Sequence, residues 1–293
     1  MKDMQTETND RRDIVWVDTR QSLVDLLETV GTEGEMAVDT EADSLHLYRD
    51  RVCLIQVSTT RRDWIVDLLA DVPLDSLWRC MEDPGILHVF HDADFDLRSL
   101  DRDYGLRPRS LFDTKIAAEL LGRESLGLSG ILQETMGVSL SKQYQKYPWS
   151  RRPVDPKARL YAAMDTRYLH ALKNRFRDDL IASSRWEWAV EEFEHLESCR
   201  WLPSRRDRLG FWSIAGIGRF GPQQREMVRR IWDIREAAAA KRNVPPFKLF
   251  TDAALMGWIS ANDPSGVIAP GITPSLRSRI VTAMTTARSL PDA

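Results

Sequence analysis

The chain has 293 residues, of which 43% are hydrophobic, and its formal net charge is −3. This is enough apolar material for one large domain, or for a large domain and a small one. The N-terminal residues are polar and no apolar run approaches about 18 residues, so we expect neither a secretory signal nor a membrane helix. Three separated cysteines with no C-x-x-C pair argue against a disulfide scaffold and a zinc site, and they suit the reducing cytoplasm.

The small net charge hides an asymmetry between the two parts of the chain. Residues 1–100 carry 10 Lys and Arg against 22 Asp and Glu, a net charge of −12, whereas residues 101–293 carry a net charge of +9. A basic surface in the second part would suit phosphate contacts. Two ordinary solvated surfaces would explain the same numbers, so charge alone leaves nucleic-acid binding open.

Short apolar runs alternate with helical patterns over the first half, which predicts an α/β fold. Asp18 or Thr19 caps the first predicted helix, which ends near Gly31, and Asp113 caps a later one. The predicted strands are 14–17, 35–40, 52–59, 63–68 and 86–91, with helices at 20–31, 74–83, 94–104 and 113–121.

A basic and aromatic segment, 139–158, separates these elements from a long predicted helix that begins at residue 156. Prolines forbid one continuous helix in the segment. Lysines and arginines alternate there with Tyr144, Tyr147 and Trp149, and charge combined with flat rings suits a single-stranded nucleic acid. The alternative is a surface loop whose aromatic side chains pack on the core.

The remaining chain is predicted to be helical. Residues 183–216 form a connecting helix and linker, and three helices follow at 222–243, 252–260 and 275–290, which suits a small bundle. The glycine-rich stretch 216–221 is a candidate phosphate cradle, but a linker turn is the preferred interpretation.

Four acidic residues form the main chemical signal. Asp39 and Glu41 lie at the end of a predicted buried strand, Asp96 starts a helix, and Asp165 shares a helix face with Tyr161, four residues earlier. Carboxylates that converge repel one another unless cations offset their charge, and hard oxygen ligands select Mg²⁺ or Mn²⁺. Two such ions roughly 3.5–4 Å apart can clamp the attacking and leaving oxygens of a phosphoryl displacement.

At these residues the chain resembles the ribonuclease D group of 3′–5′ exonucleases, the tyrosine-bearing subgroup of the DEDD superfamily. Asp39-Thr40-Glu41 matches the first motif, His91 through Leu97 the second, and Tyr161 with Asp165 the third. The resemblance implies a ribonuclease H-like, mixed five-stranded sheet flanked by helices over 13–182. The stretch from about 217 to 291 is similar to the helicase-and-RNase-D C-terminal (HRDC) domain, usually an accessory nucleic-acid-binding module.

The resemblance also implies roles. Asp39 bridges two divalent ions, Glu41 and Asp165 complete the ion that activates water, and Asp96 holds the ion on the leaving side. Tyr161 orients the water, with packing as its alternative role, and Asp92 and Asp94 are interpreted as caps. The candidate substrate contacts are Gln56, His91, Lys142, Trp149 and Arg152; for Gln56 a backbone contact, and for His91 a core hydrogen bond, is the alternative.

The implied function is a metal-dependent 3′–5′ exoribonuclease that acts on RNA 3′ ends, such as those of tRNA precursors, and releases nucleoside 5′-monophosphates. A 3′–5′ exonuclease on single-stranded DNA is the alternative within enzymes, and a catalytically silent nucleic-acid-binding protein is the alternative from another class. The sequence leaves the oligomeric state open.

Overall fold

The computed structural model describes residues 12–288. The polar N-terminal residues 1–11 and the last residues of the predicted C-terminal domain, 289–291, lie outside this range. The chain forms two compact units. Of the described residues, one unit contains 12–43 together with Val52–Trp201, and the other contains Ser44–Arg51 together with 202–288.

The first unit is built on a mixed sheet, so the predicted α/β class is confirmed. Its strand order is β1-β4-β3-β2-β5-β6, with β3 antiparallel to both β2 and β4 and the other pairs parallel. The strands are β1 Ile14–Val17, β2 Glu35–Ala42, β3 Val52–Ser58, β4 Asp63–Asp67, β5 Leu87–Phe90 and β6 Leu111–Asp113. The described sheet has six strands rather than the expected five. The additional strand, β6, spans three residues, too few for an alternating pattern to reveal it.

Three helices cover one face of the sheet. They are α1 Arg20–Glu33, α2 Asp75–Met81 and α3 Asp94–Tyr104. Thr19 caps α1 as predicted, but the helix ends at Gly34, whose φ of 70° suits glycine, and not at Gly31. Met36 and Val38 of β2 point toward these helices in one apolar core. Because side chains alternate along a strand, Ala37, Asp39 and Glu41 point to the opposite face.

Five helices cover that opposite face. They are α4 Thr114–Leu120, α5 Leu128–Met136, α6 Pro156–Arg167, α7 Leu169–Ala182 and α8 Trp186–Glu197. The single long helix predicted from residue 156 is therefore two helices that meet at Tyr168. The helix α8, expected within the connecting segment, packs in this unit, where the Phe193 ring lies 4.8 Å from the Phe112 ring.

Buried polar contacts hold α6 against the sheet. The hydroxyls of Ser58 on β3 and Thr166 on α6 are 2.7 Å apart. The Arg167 guanidinium donates from Nε to Asp63 on β4 over 2.7 Å, and both side chains are buried. These bonds fix which residues of α6 face the end of β2.

The second unit is helical, as predicted. Its helices are α9 Arg205–Leu209, α10 Pro222–Arg242, α11 Asp252–Ala261 and α12 Pro274–Arg288. The glycine-rich stretch 216–221 forms a short 3₁₀ turn that leads into α10. Arg235 of α10 is buried and donates to Asp252 over 2.7 Å. Within residues 12–288, none of the helices is both long and apolar enough to span a membrane.

The Arg167–Asp63 pair generates a stability prediction. We expect Arg167→Ala to lower the free energy of unfolding by about 3–5 kcal/mol, because it leaves the Asp63 carboxylate buried without its cation. Arg175→Ala is the matched control, since the Arg175–Asp179 pair is largely exposed; we expect it to cost under about 1 kcal/mol. Urea denaturation measures both, and equal effects would contradict the structural importance of the buried pair.

Candidate active site

The four predicted acids come from three elements that meet at the end of β2. Parallel pairing with β5 extends only to Ala37, so the later residues of β2 have no strand beside them at that edge. The start of α3 lies there, and the Thr40 hydroxyl donates a short hydrogen bond to Asp96. Helix α6 crosses β2, β3 and β4 on the face that carries Asp39 and Glu41, and it contributes Tyr161 and Asp165.

The acids interact electrostatically. Burial, and then the Asp165 carboxylate, raise the pKa of Asp39 to about 8, while burial raises the pKa of Asp165 to about 7. Burial, and to a smaller extent the neighbouring acids, raises the pKa of Glu41 well above its usual range. Burial, and to a smaller extent the Asp39 carboxylate, raises the pKa of Asp96 in the same way. Each carboxylate therefore resists ionisation while its neighbours carry charge.

The donor set fits divalent cations. Four desolvated carboxylates supply hard oxygen ligands and a charge deficit that cations would offset. Across residues 12–288, no three acidic, histidine or cysteine side chains stand close enough to hold an ion as they are.

Tyr161 lies among aromatic side chains of the basic and aromatic segment, of which residues 139–155 precede α6. The Trp149 ring stacks on it at 6.3 Å with an interplanar angle of 28°, and the Tyr144 ring lies 6.0 Å away. Burial, followed by Asp165, Glu41 and Asp39, raises the pKa of the Tyr161 phenol. The phenol thus stays protonated at neutral pH and can donate, but it is a poor base.

Two predicted substrate contacts serve the fold instead of presenting an open surface. Trp149 is 1% exposed, so its rings offer no face for a base as they stand. Arg152 donates to Asp67 over 2.7 Å and to the Trp149 carbonyl over 2.6 Å. The aromatic part of the segment packs on the core. This is the alternative that the sequence analysis gave to a nucleic-acid contact. Lys142 remains exposed.

The other two predicted contacts differ in exposure. His91 is half-buried, with Nδ1 2.9 Å from the Thr114 hydroxyl, which is the expected core hydrogen bond. Gln56 is fully buried at the middle of β3, opposite Asp39. The burial argues against direct contact between Gln56 and a bound strand.

The acids around Asp96 have other partners, which agrees with the choice of Asp96. Asp92 pairs with Lys115 at 2.9 Å, and Asp94 accepts from Arg98. The prediction that they are caps is wrong, because the N-cap of α3 is Ala93, which forms no side-chain capping hydrogen bond. Asp113, predicted only as a helix cap, also accepts from the backbone N–H groups of Asp92 and Ala93. It therefore fixes the turn that leads into α3, a role that needs tertiary proximity and carries no local sequence signal.

Two further residues beside Asp96 escaped the sequence reasoning. Thr40, the middle residue of the first motif, bonds the Asp96 carboxylate. Phe95 is 56% exposed on the first turn of α3.

A mixed sheet with Asp39 and Glu41 near the end of a central strand, and Asp96 and Asp165 on neighbouring helices, is the arrangement expected of a 3′–5′ exonuclease domain. The family model described as 3′-5′ exonuclease matches residues 14–181. The chain therefore belongs to this 3′–5′ exonuclease family. The solved catalytic core of RRP6 from Trypanosoma brucei superposes with a TM-score of 0.83 at 25% identity, covering 95% of this chain and 79% of that one.

Curated relatives extend the similarity. The exosome complex exonuclease RRP6 of Saccharomyces cerevisiae is 30% identical over 269 residues, covering 87% of this chain and 37% of that protein. A ribonuclease D of Gluconacetobacter diazotrophicus is 27% identical over 291 residues, covering 96% of this chain and 73% of that protein. The chain thus spans little more than a third of the yeast relative. The family is dependent on divalent metal ions.

The raised pKa values predict how stability depends on pH. Without divalent cations, the free energy of unfolding should fall as pH rises from about 4 to about 8. The folded Asp39 and Asp165 keep protons that the unfolded chain releases near 3.8, so the unfolded state binds fewer protons over this range. Urea denaturation across this range measures the effect. Asp39→Asn should flatten the profile, and stability that rises with pH in the wild type would contradict it.

Proposed function

We propose that this protein is a divalent-metal-dependent 3′–5′ exoribonuclease that shortens RNA one nucleotide at a time and releases nucleoside 5′-monophosphates. The observation that carries the proposal is the placement of Asp39 and Glu41 on β2, Asp96 on the first turn of α3, and Asp165 on α6, which crosses β2 at the same end of the sheet. Such a cluster is costly without cations and useful with them, and it occurs in a chain of the 3′–5′ exonuclease family.

The proposed roles follow the chemistry of the side chains. Two Mg²⁺ or Mn²⁺ ions, when bound by the four acids, would supply Lewis acidity and lower the pKa of a water molecule. We assign Asp39 to both ions, Glu41 and Asp165 to the water side, and Asp96 to the leaving side. Tyr161, kept protonated by burial and by the neighbouring acids, donates a hydrogen bond that orients the nucleophile or the scissile phosphate.

RNA is the preferred substrate class, with structured RNAs such as tRNA precursors as the proposed targets. The similar proteins are named as RRP6 and ribonuclease D. Lys142 is exposed, whereas Tyr144 and Tyr147 of the same segment pack against the core, so the segment offers a strand positive charge for its phosphates. The three cysteines are free, which suits the proposed location in the cytoplasm.

We assign the second unit to RNA binding, as an HRDC-like module. Residues 202–293 carry 14 Lys and Arg against 7 Asp and Glu, so this part of the chain has a net positive charge. Positive charge supplies phosphate contacts of low sequence specificity. Such a module would hold the body of an RNA whose 3′ end is being trimmed.

Single-stranded DNA remains the second candidate substrate, because the same carboxylates would cleave either backbone. Contacts to the 2′-hydroxyl distinguish RNA from DNA. The third hypothesis is a nucleic-acid-binding protein without catalytic activity, and the presence of all four acids and Tyr161 argues against it.

The deciding experiment is time-resolved digestion of matched 5′-labelled RNA and DNA oligomers with Mg²⁺, Mn²⁺ or EDTA. We expect a metal-dependent ladder that shortens from the 3′ end of RNA, with DNA slower. Asp39→Asn should remove turnover while the fold, followed by circular dichroism, is retained. Equal or faster DNA shortening would redirect the proposal to DNA. Tight binding with no cleavage, or full activity in Asp39→Asn, would contradict it.

Tyr161 has a separate prediction. Tyr161→Phe keeps the ring that packs against Trp149 but removes the hydroxyl, so we expect kcat to fall by about 10²-fold with little change in KM. Single-turnover rates at saturating RNA measure this effect. A wild-type rate would mean that the tyrosine acts by packing alone.

A further inference from the structure

Gln56 is a buried polar residue in the middle of β3. It is 0% exposed, and within the described part of the chain neither its amide nitrogen nor its amide oxygen has a hydrogen-bond partner. A buried polar group without a partner costs about 1–3 kcal/mol, more than an apolar side chain of the same shape would cost. An amide in this position is therefore unfavourable for the fold taken alone.

The position of Gln56 is defined by its neighbours across the sheet. It pairs in register with Asp39 on β2 and with Ile65 on β4. Directly opposed residues of antiparallel strands share a face, with Cβ atoms about 4.5–5.5 Å apart. The Ile65 side chain offers no hydrogen bond, so Asp39 is the polar neighbour across the strands.

Helix α6 covers the same face. Two residues after Gln56, the Ser58 hydroxyl bonds Thr166, which immediately follows Asp165 in α6. Fully buried Ala162 lies one turn earlier in the helix. The Gln56 side chain is thus fully buried on the face of the sheet that α6 covers, next to Asp39 on the neighbouring strand.

We propose that Gln56 is a positioning residue whose amide N–H donates to the Asp39 carboxylate oxygen turned away from the bound metal ions. This inference rests on the proposed function. A carboxylate that ligates two ions must keep one orientation, and a donor on its far side fixes that orientation. Outer partners of metal ligands typically contribute 10–100-fold to metal affinity or activity.

A neutral amide suits position 56 better than a charged side chain would. A carboxylate at position 56 would add repulsion to a cluster already short of positive charge, and a cationic side chain would compete with the metal ions. A neutral donor does neither. The cost of leaving the Gln56 amide without a partner falls when its N–H donates to the Asp39 side chain opposite it on β2.

The test uses Gln56→Met, which keeps the length of the side chain and removes both polar groups, with Gln56→Leu as a second variant. Mn²⁺ affinity is measured without RNA by electron paramagnetic resonance, stability by urea denaturation in EDTA, and activity on the RNA oligomer. We expect unchanged or higher metal-free stability, 10–100-fold weaker Mn²⁺ binding, a lower kcat and an unchanged KM. Lower metal-free stability with wild-type Mn²⁺ affinity would overturn the proposal and make Gln56 a structural residue.

Trp64→Phe is the matched control. Trp64 also carries a buried N–H without a partner, but its side chain belongs to the core on the opposite face of the sheet. Its substitution should leave Mn²⁺ affinity unchanged, and a comparable loss there would also overturn the proposal.

The outcomes separate the two proposals. Wild-type protein that binds Mn²⁺ but cleaves no RNA would contradict the proposed function alone, and the Mn²⁺ comparison would still decide the role of Gln56. Wild-type cleavage together with equal Mn²⁺ binding in the Gln56 variants would contradict the positioning role alone. Absence of Mn²⁺ binding in the wild type would contradict both.

Discussion

Repulsion among desolvated carboxylates is the constraint on which the first unit depends. Burial and like charges raise the pKa of Asp39, Glu41 and Asp96, and burial raises the pKa of Asp165. This free-energy cost does not stabilise the fold, since apolar residues of similar size would pack more favourably. Cations that shared the carboxylate oxygens would offset this cost, which connects the fold to the proposed chemistry.

The rest of the unit keeps these acids in place against their repulsion. The Arg167–Asp63 ion pair and the Ser58–Thr166 hydrogen bond hold α6 on the sheet. Asp113 holds the turn before α3 through two backbone N–H groups. Each contact lies outside the cluster, and each joins an element that carries a ligand to the sheet. Rigid elements fixed in this way place a site more accurately than loops do.

The segment 139–155 shows where sequence reasoning reached its limit. Its basic and aromatic composition suits both a nucleic-acid grip and a loop packed on the core, because the same rings serve either purpose. In the structure Trp149 is buried against Tyr161 and Arg152 is bonded to Asp67, while Lys142 stays exposed. The segment therefore packs against the ring of Tyr161, and its Lys142 side chain is exposed to solvent.

The sequence was sufficient for the α/β class, the caps at Thr19 and Asp113, and the candidate acids, because capping and strand alternation depend on residues close together in the chain. It was insufficient for β6, because three residues are too few to show a strand pattern. It was also insufficient for the break at Tyr168, because the helical pattern of the sequence continues through that residue. Burial of Gln56 and Trp149, and the bond from Thr40 to Asp96, were decided by the tertiary structure alone. They depend on which distant segments meet, and local patterns carry no record of such contacts.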